Sequence, residues 1–265
     1  MVKRAVTTRR AKIEAEVPKP SPKDKFFAEL AQGEALRQGA VPKFTPATAN
    51  QKKAVAALRD GVRVLFLQGS AGTGKSMLAA WWAATLMKEK KVEKIYLVRP
   101  NVATGKSAGS LPGTEAEKLA PYFAQTVSHL ATFMGAGYLN YCLEKELIEY
   151  KSAEYMRGRS FENVVVLSEE VQNFDASDME MLLTRLGKGT TYLMTGDGKQ
   201  NDLRGNSGLE QTIALINRMI DEQPEYLSDE DLDNLQNLVS SVTFTPDDCV
   251  RDGITRSFVK MYYHN

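Results

Sequence analysis

Two hydrophobic patterns alternate along this chain. Short apolar runs rich in β-branched residues read as buried strands, at Val62 to Leu67, Lys94 to Val98, Asn163 to Leu167, Thr191 to Met194 and Val239 to Phe244. Between them lie segments of helical character: Met77 to Lys91, with an apolar first half and a lysine-rich end suited to the negative dipole end, then Ala116 to Met134 and Ser177 to Leu186. Strands alternating with helices predict an α/β domain with a mostly parallel sheet covered on both faces. Trp81 and Trp82 fall on the first of these helices and are expected to pack in the core. No internal repeat is present.

Composition narrows the picture. Apolar residues make up 43% of the chain, enough to fill a sizeable core, and the formal net charge is +1, which argues against a wholly basic nucleic-acid binder or a highly charged disordered chain. Cys142 and Cys249 are far apart, with no metal-ligand spacing, and His129 and His264 form no cluster. A disulfide framework and a structural zinc site are therefore not expected, and a reducing, cytoplasmic setting fits. No apolar run reaches the roughly 20 residues that span a bilayer, and the basic N-terminus lacks the apolar core of a secretory signal.

Residues 1–42 are polar and basic, with Pro18, Pro20 and Pro22 spaced for extended, solvated chain. They read as a flexible extension to a domain spanning 43–265. Two roles stay open for it, a solvated tail or an arm touching RNA or DNA phosphates. Seven acids without a base (Asp221, Glu222, Glu225, Asp229, Glu230, Asp231, Asp233) mark an exposed acidic helix or loop to which no chemistry is assigned.

Chemistry concentrates after the first strand. Gly69-Ser70-Ala71-Gly72-Thr73-Gly74-Lys75-Ser76 matches G-x-x-x-x-G-K-[ST] between a predicted strand and a predicted helix, where that motif works. Its glycines let backbone N–H groups face a triphosphate beside the positive helix end. Lys75 would reach the β- and γ-phosphates and Ser76 would bind Mg²⁺. A phosphate loop also needs an acidic strand end, and Val164 to Leu167, followed by Ser168, Glu169 and Glu170, supplies one. Glu169 is expected on the metal side, one methylene longer than the usual Asp, and Glu170 as the base that aligns water, which points to hydrolysis. A guanine-reading Asn-Lys-x-Asp pattern is absent, so GTP is disfavoured.

Further motifs follow in order: Leu97-Val98-Arg99-Pro100, Leu111-Pro112-Gly113, Glu117-Lys118, Tyr155 to Phe161, Glu170-Val171-Gln172-Asn173, Leu183 to Gly187, Thr195-Gly196-Asp197 with Gln200, and Ser207-Gly208-Leu209. Together they resemble the PhoH family of P-loop ATPases over roughly Pro46 to Gly208, in a short form similar to phage-encoded members. Glu169 in place of Asp and Val171 in place of Ala depart from the family pattern.

The resemblance implies a single RecA-like domain related to superfamily-one helicases, using ATP and Mg²⁺. It implies that Gln51 reads the adenine edge and that Gln200 senses the γ-phosphate. Arg157 and Arg159 are singled out for RNA phosphates, a neighbouring subunit or loop support. Arg99 and the 105–113 loop with Lys106 are the expected contact for RNA or single-stranded DNA. Arg251 looks like the family's late arginine. The stretch after Glu210 is too short for a second domain, so the cation that stabilises developing charge is expected from a neighbouring protomer in a homo-oligomeric, hexameric ring. Three functions follow: a ring-shaped ATP hydrolase acting on RNA or single-stranded DNA, an ATP-driven switch or protein remodeller, and a weakly active nucleotide binder if Glu169 impairs the metal shell.

Overall fold

The computed structural model describes residues 22–100, 115–158, 160–202 and 207–264. Six strands, β1 (Val64–Gly69), β2 (Lys94–Arg99), β3 (Ile148–Ser152), β4 (Val164–Ser168), β5 (Thr191–Gly196) and β6 (Val239–Phe244), form one sheet in the order β3-β2-β4-β5-β1-β6. Every pairing is parallel, and parallel neighbours need crossovers, which the helices provide.

Side-chain alternation along the strands builds two cores. Leu65, Leu67, Ile95, Leu97, Val165, Leu167 and Leu193 point to one face, where they pack under α2 (Ala49–Arg59), α3 (Lys75–Lys88), α5 (Ala124–Met134) and α6 (Ala136–Glu144). Val64, Phe66, Val98, Val164, Val166, Tyr192 and Met194 point to the other, under α7 (Ala176–Leu183) and α8 (Gly208–Glu222). Trp81 is buried on α3 and stacks on Phe44 with ring centroids 5.5 Å apart, a core role as expected.

Three elements differ from the sequence expectation. β3 was not expected: it is an edge strand whose Glu149 and Lys151 break the apolar pattern, and Glu149 pairs with both Lys151 and Lys94 of β2. The helix expected over Ala116 to Met134 is divided into α4 (Glu115–Leu119), a 3₁₀ turn at Ala120–Phe123 and α5. Pro121 lies in that turn, and proline has no N–H to continue an α-helix. The extension placed at 1–42 is corrected from Pro22 onward. There α1 (Pro22–Arg37) packs on α6, with Gly33 against the Tyr141 ring and Lys145 paired with Glu29 at 2.7 Å. Residues 1–21 lie outside the described residues.

The acidic stretch resolves into the end of α8, a turn, and the first turns of α9 (Asp229–Leu238). Ser228 and Asp231 form a capping box there, and acids at a helix N-terminus offset its positive dipole end. The last helix is α10 (Gly253–Tyr263). Among the described residues, no helix is long and apolar enough to cross a membrane.

Phe66 sits fully buried on β1, with β5 and β6 on either side. Phe66→Ala is expected to cost about 3–5 kcal/mol from lost transfer energy and the cavity left behind. Urea denaturation would show this as a lower midpoint at unchanged slope.

Candidate functional site

The C-terminal strand ends meet in one cleft, as open parallel sheets favour. Its floor is the loop between β1 and α3. Gly69 has φ +126°, and a Cβ there would lie 2.0 Å from the Phe244 carbonyl oxygen of β6. Gly74, at φ +82°, caps α3 where a Cβ would come within 2.8 Å of Gln51 Nε2. Both positions therefore require glycine.

The loop is braced from three sides. Thr73 Oγ1 donates to the Ser70 carbonyl (3.0 Å), Val250 N–H to the Gly72 carbonyl (3.0 Å), and Gln51 Nε2 to the Thr73 carbonyl (3.0 Å). Gln51 Oε1 accepts from the Ala47 N–H at 2.7 Å, so both ends of this buried amide are engaged.

Lys75 turns into the loop and donates from Nζ to the carbonyls of Gly69 (2.6 Å) and Ser70 (2.8 Å). Burial pulls its ammonium down to about 8, against the opposing pull of the Asp197 and Glu170 carboxylates. Glu169 follows β4 and is buried. Burial pushes its carboxyl up, while a hydrogen bond from the Thr126 hydroxyl, the Arg99 charge and a bond to the Ser76 side chain draw it down.

Glu170 adopts the left-handed region at φ +54°, sparsely populated for a residue with a side chain. Its carboxylate pairs with Arg99 at 3.2 Å and accepts from Gln172 Nε2 at 2.7 Å. Gln172 also accepts at Oε1 from the Asp197 N–H (3.0 Å) and donates to the Gln200 carbonyl (3.3 Å). Gln200 Nε2 donates to Asp197 Oδ2 at 3.0 Å.

Lys75, Ser76, Glu169, Glu170, Gln200 and Arg251 line this one cleft of about 330 Å³, together with loop residues Ala71 to Gly74. Gln51 stands behind the loop. Arg99, the expected nucleic-acid contact, lines the cleft, where its guanidinium faces Glu170, donates to the Tyr122 carbonyl (3.0 Å) and lies 5.6 Å from the Tyr122 ring centroid. The cation expected from a neighbour has a counterpart within the chain: Arg251 lies on its own phosphate loop, with Cδ 2.9 Å from where a Gly72 Cβ would stand. Arg157 is exposed beside α7, where its charge acts on Asp178, and does not line the cleft. Lys106 and Arg159 lie outside the described residues.

Sequence reading missed one wall. Tyr122 of the 3₁₀ turn and Gln125 and His129 of α5 line the cleft, and Thr126 of α5 reaches Glu169. Their spacing of three, four and seven residues marks one helix face, a signal hidden among the apolar positions of that segment.

The donor set suits Mg²⁺: one buried carboxylate already joined to a hydroxyl, beside a pocket for phosphates, for an ion that keeps several waters. No cluster of three or more His, Cys, Asp or Glu able to hold a metal exists among the described residues. Ser76 and Glu169 are the residues that would hold the ion, with phosphate oxygens and water as its remaining ligands.

The family profile described as PhoH-like protein matches residues 43–263. Protein PhoH of Escherichia coli (strain K12) is 37% identical over 204 residues, covering 76% of this chain and 53% of that protein. The PhoH-like protein of Mycobacterium leprae (strain TN) is 38% identical over 188 residues, 70% of this chain and 53% of its own length. That of Bacillus subtilis (strain 168) is 34% identical over 195 residues, 74% and 60% respectively. The chain thus spans about half the length of the curated relatives it matches.

A triphosphate beside Lys75 would raise its depressed ammonium. Above about pH 8 the free protein has begun to lose that proton, so binding must take one up and affinity must fall as pH rises. Calorimetry of nucleotide binding at pH 9, in buffers of different ionisation enthalpy, should register net proton uptake that is absent at pH 7. An affinity flat between these pH values would contradict the assignment.

Proposed function

The chain belongs to the PhoH family, and on that premise we propose that it binds ATP on the Gly69–Ser76 loop and hydrolyses it to ADP and phosphate. One observation carries this reading: groups from separate strand ends, each suited to a different part of a triphosphate, line a single cleft.

Lys75 exchanges its two loop carbonyls for the β- and γ-phosphate oxygens. Ser76 and Glu169 hold Mg²⁺, which when bound neutralises phosphate charge. Gln200 senses the γ-phosphate, while Glu170 aligns a water with the γ-phosphorus and takes its proton as the new P–O bond forms and the bond to the ADP oxygen breaks. Arg251, lying along Gly72, offsets the charge that develops on the transferred group. Gln51 lies beside Thr73 and Gly74, where an adenine edge bonded by its amide would replace Ala47 and Thr73 as partners.

We further infer action as a hexameric ring on RNA or single-stranded DNA. Support comes from the motif resemblance and from Arg99, which ends β2 ahead of the segment expected to meet nucleic acid (105–113, outside the described residues) and is bonded to Glu170. Strand binding that draws Arg99 away would free the base. A second reading, a slow nucleotide binder, is favoured by the same pair: Glu170 is held by Arg99 and Gln172 in this state.

Glu170→Gln is expected to lower kcat by about 10²–10⁴, the usual worth of a general base, while ATP affinity changes little. Steady-state turnover and equilibrium titration with a fluorescent ATP analogue separate the two effects. Hydrolysis by the unaltered protein should rise several-fold with RNA or single-stranded DNA. A rate indifferent to both would favour the switch or slow-binder reading.

A further inference from the structure

Two apolar surfaces of this chain are left without a partner among the described residues, at opposite ends of the sheet. α10 is the first. It has no buried residue, and Ile254, Phe258, Met261 and Tyr262, spaced for one helix face, are 66%, 52%, 46% and 73% exposed. Such a row on an isolated helix marks a contact surface. Hydrogen bonds fix α10 at the C-terminal end of the strands: Arg256 donates to the Cys249 carbonyl, Lys260 pairs with Asp247 at 2.6 Å, and Lys199 donates to the Tyr263 carbonyl.

The second surface is a groove of about 780 Å³ between α7, α8 and α9, lined by Leu183, Leu186, Leu215, Ile216, Leu235 and Val239. Val64 and Val239, the first residues of β1 and β6, form its base, so it opens at the N-terminal end of the sheet. Six-residue β6 separates the groove from the turn that precedes α10, a distance of roughly 20 Å at 3.3 Å per residue. α10 therefore cannot fill the groove of its own chain.

Charge fits as well as shape. α10 carries Arg256 and Lys260 and no acid. The groove is lined by Glu180 and by Arg218, which has Glu222 as its partner at 4.0 Å, and is bordered by α9, whose Asp229, Glu230, Asp231 and Asp233 are unaccompanied by a base. A basic ridge beside a groove whose border is acidic on balance sets register and suppresses wrong partners.

We propose that α10 of one chain packs into the α7–α8–α9 groove of a second copy. The contact joins different patches, so it is head-to-tail and generates a closed ring or an open filament according to its rotation. It gives the acidic stretch a role in recognition. It stands apart from the nucleotide-site reading, because neither surface includes a residue of the cleft. α10 does begin just after Arg251, so the neighbour's groove would border that cleft.

Mixing variants tests the interface. Phe258→Asp removes the ridge and Leu215→Asp the groove, and both side chains are about half exposed, so folding should survive. By mass photometry the unaltered protein should assemble, and each variant alone should run as a monomer. An equal mixture should give dimers and nothing larger, since the surviving ridge of one variant meets the surviving groove of the other. A monomeric unaltered protein, a variant that assembles normally, or a mixture that stays monomeric overturns the proposal.

Should either aspartate variant misfold by circular dichroism, the doubly substituted Phe258→Cys, Leu215→Cys chain takes its place. Cys142 and Cys249 are buried, so a short bifunctional maleimide should link only the new thiols into a ladder of multimers. Monomers alone would count against the contact. Nucleotide uptake by the unaltered protein keeps the two readings separate: no assembly with uptake intact sinks the interface only, and assembly without uptake sinks the site only.

Discussion

A lysine ammonium drawn into its own backbone loop is the constraint on which the cleft depends. Lys75 reaches Gly69 and Ser70 only because the chain reverses through two glycines whose neighbours leave no space for a side chain. That reversal is held by Gln51 ahead of the loop, by Val250 far beyond it, and by β6 alongside Gly69. Removing the charge from water costs free energy, visible in the depressed ammonium, and a polyanion is what would compensate it. The site is thus poised for phosphate by a cost already incurred in folding.

Where the sequence was legible, simple physics made it so. Strands buried on both faces must be apolar at every position, and Val164 to Leu167 and Val64 to Leu67 are nearly so; their alternate residues then divide between two cores. The phosphate loop was legible because few sequences satisfy its steric demands. β3 escaped notice because Glu149 and Lys151, a charged pair on one face of an edge strand, break its apolar run. Thr126 escaped because a single hydroxyl within a helix has no local signature, and its partner Glu169 is 43 residues away. Long-range pairing of this kind is set by the fold and is not written in any window of sequence.

The arginines show a different limit. Motif position marked Arg99 and Arg251 as important without fixing their partners. Both are long, permanently charged side chains whose heads settle on the nearest anion or carbonyl. Arg99 is bound by Glu170 and the Tyr122 carbonyl, and Arg251 follows the loop it was expected to meet only across a subunit boundary. With a cation available in the same chain, the charge argument for oligomers loses force. Surfaces, not chemistry at the phosphate, then become the better ground on which to judge assembly.

Gln172 has one more consequence. A single carboxamide, buried between the ends of β4 and β5, bonds at once to Glu170, to the Asp197 amide and to the Gln200 carbonyl. Glu170 and Gln200 are thereby fastened to one small lever. A tilt of the β5 turn by the width of one hydrogen bond must either drag the Glu170 side chain with it or snap the link, so the two strand ends cannot shift independently at this corner of the cleft.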